Sequence, residues 1–200
     1  MKWDFRNRYR RDKSRPPADN LESAREARIA GLVRRAIEDD VEAFGELYLA
    51  YVQNIYRYIF SHVNSKTLSE DITEDVFLKA WRSIKTCRGR ENTFASWLYR
   101  IAHNQLIDEL RKVQRHPLID IEEVGTLRDT KGKTEGYSEQ QELISLINRL
   151  PENQRQVIIL KFIEERDNSE IARIMRKSEG AIRVLQMRAL RALKNELNKE

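Results

Sequence analysis

Four apolar stripes at three- and four-residue spacing run through the first half of the chain, the period an α-helix needs to bury one face. Ile29, Leu32, Val33, Ala36 and Ile37 make the first, and Phe44, Leu47, Tyr48, Tyr51, Ile55, Tyr58 and Ile59 the second. Ile72, Val76 and Ala80, with Phe77 and Trp81 alongside, make the third. Phe94, Trp97, Leu98 and Ile101 make the fourth, and Asn104, Asp108, Arg111 and Lys112 continue its polar side. Seven Gly and four Pro in 200 residues are few for the many tight turns of an all-β chain. The expected fold is all-α, in two small helical domains joined by a flexible acidic linker.

Residues 1–28 read as a basic arm, disordered at least to Asp19. It holds Arg6, Arg8, Arg10, Arg11, Lys13 and Arg15 and then Pro16-Pro17, and Asn20 is a candidate N-cap after it. Trp3, Phe5 and Tyr9 among the arginines suit either a solvated tail or a polyanion contact. Residues 29–113 form the first helical unit. Residues 114–137 lose the period and carry Pro117, Gly125, Gly132 and Gly136, a linker long enough to let two units sit apart. The second unit, 138–200, opens with Leu143, Leu146, Ile147 and Leu150 before Pro151.

The formal net charge is +5, weak evidence for any partner by itself. Its distribution says more. Arg82 to Lys112 holds seven basic residues against three acidic, and Arg149 to Glu200 twelve against eight. Val113 to Asn148, between them, holds four against seven, so two basic blocks flank an acidic one. That arrangement suits two separate nucleic-acid contacts. Cys87 is the sole cysteine, and neither it nor His62, His103 and His116 has metal-ligand spacing; no metal or cofactor is expected. No apolar run is long enough to span a membrane and the start lacks a secretory signal, so no membrane insertion is expected and residence in the cytoplasm is the default.

Asp167-Asn168-Ser169 caps a short helix to Met175, and Ser178 caps a longer one from Glu179, the pattern of a helix-turn-helix. Ile171, Met175, Ile182 and Leu185 take its buried positions, with small Ala172 at the helix crossing. Ser178, Glu179, Arg183 and Gln186 then face a DNA groove. Arg suits guanine, Gln adenine and Glu cytosine, while Arg188, Arg191 and Lys194 suit phosphate. A helical hairpin with a solvated basic face has the same spacing.

In the first unit, Trp97, Tyr99, Arg100 and Asn104 set aromatic rings beside polar groups on one helix, after the loop Lys85 to Thr93. Unstacked bases lie on such rings, and a short polar loop can hold a flipped base. Phe94 and Leu98 equally suit a core, and Trp97 either role. The acidic run Glu70, Asp71, Glu74, Asp75 lacks a nucleophile or a ligand set, so helix-dipole compensation accounts for it better than catalysis. With Phe77 and Trp81 it forms a face suited to a protein partner.

These segments together resemble the extracytoplasmic-function sigma factors of the bacterial sigma-70 family. Asp71-Ile-Thr-Glu-Asp-Val-Phe-Leu-Lys-Ala-Trp81 is similar to the segment that grips core RNA polymerase. Trp97 to Asn104, with Ile107-Asp108 and Leu110-Arg111-Lys112, is similar to the segment that recognises and melts the −10 element. Leu150 to Arg155, Ser178 to Arg183 and Arg188 to Leu193 are similar to the domain that reads the −35 element. The resemblance covers residues 30 to 197, in order and with the expected gap. It implies a promoter-specificity subunit rather than an enzyme. Its partners would be the β and β′ subunits of core polymerase, duplex and single-stranded promoter DNA, and an anti-sigma factor. It assigns polymerase binding to Asp71, Glu74, Asp75, Phe77, Leu78 and Trp81. It assigns −10 binding to Arg88, Arg90, Trp97, Tyr99, Arg100, Asn104, Asp108, Arg111 and Lys112. It assigns −35 binding to Lys177, Ser178, Glu179, Arg183, Gln186 and Arg188.

Three positions depart from the family pattern. Glu74 stands where Gln is usual, and Arg176 where the turn usually has Gly. Val184-Leu185-Gln186 replaces a Ser-Arg-Leu-like triplet and is expected to put Gln186 on the reading face. A stand-alone helix-turn-helix regulator remains the alternative, but it leaves the Trp97 helix and the Phe77/Trp81 face unexplained; a metal-dependent nucleic-acid-processing enzyme is a third reading.

Overall fold

The structure is a computed structural model, and it describes residues 18–115 and 143–197. The arm before Ala18, with Trp3, Phe5 and Tyr9, and nearly all of the linker, with Pro117 and its glycines, lie outside the described residues.

Every regular element among the described residues is helical. Helix α1 (Ala18–Ile37) begins inside the expected arm, so Asn20 lies within it and is not its cap. Helix α2 spans Val41–Val63. Asp40 starts it by accepting a 2.9 Å hydrogen bond from the Ala43 amide, and Asn64 ends it in the left-handed conformation. Helix α3 (Lys66–Ser83) starts at a Ser65 cap. Two 3₁₀ turns, Ile84–Cys87 and Glu91–Thr93, lead to helix α4 (Phe94–Arg115). Leu47, Ile55, Tyr58 and Ile59 of α2, Ile72 and Val76 of α3, and Leu98, Ala102 and Leu106 of α4 are buried together, as the stripes require.

The second unit begins with a helical turn over 143–148, then helix α5 (Glu152–Ile158) behind Pro151. The α5 backbone runs directly into a π-helical turn, Ile159–Ile163. Helix α6 (Asn168–Met175) opens on a full capping box: Asp167 accepts from the Glu170 amide at 2.7 Å, and Glu170 accepts from the Asp167 amide at 3.1 Å. Helix α7 (Glu179–Leu197) follows, with Ser178 Oγ accepting from the Ala181 amide. Ile171, Ile174, Ile182, Ala189 and Leu193 are the buried side chains of α6 and α7, and α7 packs against both α5 and α6. Met175 and Leu185, expected there, are only half-buried, and Ile174 takes the deeper position.

The two units do not sit apart. Their buried apolar side chains form one continuous cluster, with α6 against α4 and the π turn against α2.

Candidate nucleic-acid interface

Charged and apolar groups alternate on the outer face of α3. Asp71, Glu74, Asp75 and Leu78 are exposed, Trp81 is half-buried, and Phe77 is buried rather than presented. The edge of Phe77 meets Tyr48 at 4.8 Å between ring centroids, and Trp81 meets Phe44 at 4.9 Å. Helix α2 therefore extends the surface, with Tyr48 exposed beside Phe77. Tyr48 belongs to the second apolar stripe, which fits one ordinary helix face, so periodicity alone does not mark it as exposed. Among the described residues no three His, Cys, Asp or Glu side chains converge as a metal would require. None of the described helices is long and apolar enough to cross a membrane.

The loop before α4 is held from the α1–α2 turn. Lys85 pairs with Asp39 at 2.8 Å and Arg88 with Glu38 at 2.7 Å, and all four side chains are largely exposed. Gly89 has φ 74°, the left-handed conformation that its missing Cβ allows, and Glu91 accepts from its amide at 2.8 Å. Arg88 and Arg90 are exposed, and Cys87 beneath them is buried, its thiol pushed up to about 12 by that burial. A cysteine with so little thiolate character is a packing residue.

Helix α4 splits the expected −10 group. Asn104, Asp108, Arg111 and Lys112 are exposed, and Arg100 is half-buried. Trp97 is only 8% exposed, its ring tilted against that of Phe94 at 5.6 Å between centroids, so it belongs largely to the core. Tyr99 is fully buried. It meets the second unit, donating a 2.6 Å hydrogen bond to Glu164. Arg57 of α2 grips the same carboxylate through Nε at 2.8 Å and Nη2 at 3.2 Å. Arg166 lies over the Tyr99 ring at 5.0 Å. Burial, then the Glu164 carboxylate, holds the Tyr99 phenol above its ordinary value.

The π turn produces this geometry. Its extra residue makes the Glu164 amide bond the Ile159 carbonyl, five residues back, and swings the Glu164 side chain toward α2 and α4. Beside it, His103 contacts the Tyr58 hydroxyl at 3.1 Å and Glu152 at 3.5 Å, and Gln156 donates to the same hydroxyl at 3.3 Å. A cleft of about 210 Å3 between α4 and α6 is lined by Arg100, Asn104, Met175 and Arg176. Burial, then Arg176 and Arg90, lowers the Arg100 guanidinium, so like charges crowd this seam.

In the helix-turn-helix, Lys177, Ser178, Glu179, Arg183 and Arg188 are exposed as expected. Gln186 sits at the inner edge of that face. It is half-buried on the side of Ile182 and Leu193, while Val184 and Met187 stand outward beside Arg183. The reason is phase: at 100° per residue, position 186 falls four after buried Ile182, and a polar side chain does not override that register. Arg176 closes α6 at φ 53° and ψ 45°, so the turn takes the left-handed conformation without glycine.

The chain matches Sigma-70 region 2 over residues 47–116 and Sigma-70 region 4 over residues 140–193. It is 35% identical over 185 residues to the ECF RNA polymerase sigma factor BldN of Streptomyces coelicolor, covering 90% of this chain and 68% of that one. It is 33% identical to the RNA polymerase sigma factor SigV of Bacillus subtilis, covering 74% and 87%. Its fold is similar to that of CnrH in complex with the cytosolic domain of CnrY, with TM-score 0.67 at 21% identity over 86% and 99% of the two chains. It is also similar to that of the Bartonella quintana sigma factor RpoE bound to the anti-sigma factor NepR, with TM-score 0.63 at 24% identity over 79% and 98%. With both regions matched in order and two relatives at this identity across most of their length, the chain belongs to the extracytoplasmic-function sigma factors of the sigma-70 family.

Proposed function

We propose that this chain directs core RNA polymerase to a set of promoters, reading duplex DNA with α7 and receiving the opened strand near α4. The observation that carries the reading is the pairing, in one chain, of a region 2 match and a region 4 match in the family's order. The exposed α3 face of Asp71, Glu74, Asp75 and Leu78, widened by Tyr48 and Trp81, has the mixed charge and apolar area of a protein-docking surface. Phe77 supports that face from beneath.

Arg90, Asn104, Asp108, Arg111 and Lys112 present polar groups along the loop and α4 where a displaced strand would run. Tyr99 and Arg100 join them only if the second unit moves aside. Arg183, Ser178 and Glu179 contact base edges, and Lys177 and Arg188 phosphates. Polymerase performs the chemistry and the chain supplies specificity, so it works in the cytoplasm, where transcription takes place. An anti-sigma factor is the expected inhibitor; the CnrH and RpoE structures are of complexes.

The test mixes the full chain with sigma-free core polymerase on genomic DNA and sequences the transcripts. Start sites sharing an upstream and a −10 element are expected. A complex that forms yet initiates nowhere in particular would overturn the reading.

A further inference from the structure

The outward face of α7 carries two apolar side chains where a solvated helix would carry polar ones. Val184 is 42% exposed and Met187 52%. The buried side of the helix is complete without them, since Ile182, Ala189 and Leu193 already fill it. At 100° per residue, Gly180, Val184, Met187 and Arg191 share one face, flanked by Arg183 and Arg188. Arg183, Arg188, Arg191 and Lys194 are all exposed, and Arg176 and Lys177 extend the positive charge across the turn. The acid on this arc, Glu179, lies 3.4 Å from Arg183. A Cβ on Gly180 would meet only the Ser178 hydroxyl, at 3.9 Å, so the helix start is bare and a surface can approach it closely.

An apolar strip rimmed by cations suits an apolar group embedded in a polyanion. In the major groove of duplex DNA that group is the C5-methyl of thymine, the one apolar feature any base pair presents there. We infer that Val184 and Met187 are specificity-determining residues that read thymine methyl groups in the upstream promoter element, with Arg183 and Arg188 fixing the helix on either side. The inference rests on the reading of α7 as the groove helix. It replaces the Gln186–adenine contact expected from sequence with an apolar contact to thymine.

The test takes the full chain assembled with core polymerase on a promoter duplex that this assembly selects from a randomised pool. Each thymine of the upstream element is replaced in turn by deoxyuridine, which deletes only the methyl group. Affinity should fall about fourfold at one or two positions, the effect of one buried methyl. In Val184→Ala or Met187→Ala that sensitivity should vanish at the matching position, because both forms of the base then bind alike. Val184→Thr, which keeps one methyl, should retain part of it. These side chains are exposed, so the variants should keep the wild-type circular dichroism and melting temperature. Unchanged affinity for every deoxyuridine duplex, with element selection intact, would overturn the inference and leave the sigma-factor reading standing. An assembly that selects no upstream element would overturn both.

Discussion

Tyr99 and Glu164, one from each half of the chain, share a 2.6 Å hydrogen bond on a carboxylate that Arg57 also grips. Glu164 is fully buried, whereas the Arg57 side chain is half exposed, so solvent screens the attraction while the carboxylate still bears its desolvation cost. The bond joins the helix expected to receive a DNA strand to the unit expected to read duplex DNA. It holds only when those two units touch.

Glu164→Gln keeps the shape but removes the charge from this junction. The loss should be about 2 kcal/mol, as for hydrogen bonds to charged groups. The readout is the distance between two spin labels, one on α4 and one on α7. It should broaden toward longer separations in Glu164→Gln and stay narrow in the parent chain. An unchanged distribution would show that apolar packing alone holds the units together.

His62 supplies a pH dependence. Its Nδ1–H donates to the Tyr58 carbonyl at 2.8 Å, while Nε2 is buried without a partner. Burial pushes the imidazole down to about 3, although the Tyr58 carbonyl works the other way. The unfolded chain binds this proton near pH 6.5 and the folded chain does not, so stability is full above that value and declines as pH falls toward 3. At pH 5 the loss from this group is about 2 kcal/mol. Lowered also by burial, His103 acts in the same direction. Denaturant unfolding at pH 7 and pH 5 should show the loss in the parent and a smaller one in His62→Leu. Carboxylates contribute little in that window, since their ordinary values lie near 4.

Arg176 holds a left-handed conformation, φ 53°, that costs a residue with a Cβ about 1 kcal/mol. Arg176→Gly should therefore raise stability by about that amount. Arg176→Ala separates the two causes, since it removes the charge facing Arg100 and keeps the strain. Equal gains in both variants would assign the cost to the crowded cations, and a gain in glycine alone to the backbone.

Much of this was legible in sequence, and the reasons for the rest are physical. Periodicity located α2, α3 and α4, and capping residues α6 and α7, because Asp167 and Ser178 satisfy amides that the helix itself cannot; Asp40 and Ser65 cap α2 and α3 in the same way, and the sequence reading does not single them out. Contacts between the halves were not legible: Arg57 and Glu164 lie 107 residues apart, and the π turn that aims Glu164 has no local signature. Trp97 and Tyr99 read as a stacking platform because an aromatic residue beside Arg fits two environments, and only the packing of α6 and its approach to α4 separates them. Gln186 was misplaced for the opposite reason, its polarity outweighing a helical phase that pointed inward.

The α3 face offers a separable test. Leu78 is 54% exposed, so Leu78→Asp should leave the unfolding free energy within about 0.5 kcal/mol of the parent. If this face docks on polymerase, burying an unpaired carboxylate there should weaken the complex by at least tenfold in a pull-down titration against core enzyme. Phe77→Ala is the contrasting variant. Its ring is buried under Tyr48, so it should lose both stability and docking.

Arg183 and Arg188 both lie on the exposed side of α7, yet they should fail differently when cut back to alanine. Arg183 projects from the second turn, beside Glu179, where a helix entering the major groove meets base edges. Its loss should cost about 1–3 kcal/mol on the preferred element and relax selection at one base pair. Arg188 stands further along the helix, and if it contacts phosphate as proposed its loss should weaken all sequences alike and lower the salt slope of binding by about one. Titrating both variants against the selected duplex and a scrambled one at two salt concentrations resolves the four outcomes. A uniform loss from Arg183→Ala with selectivity intact would remove it from the base-reading set, leaving Val184 and Met187 as the carriers of specificity on this helix.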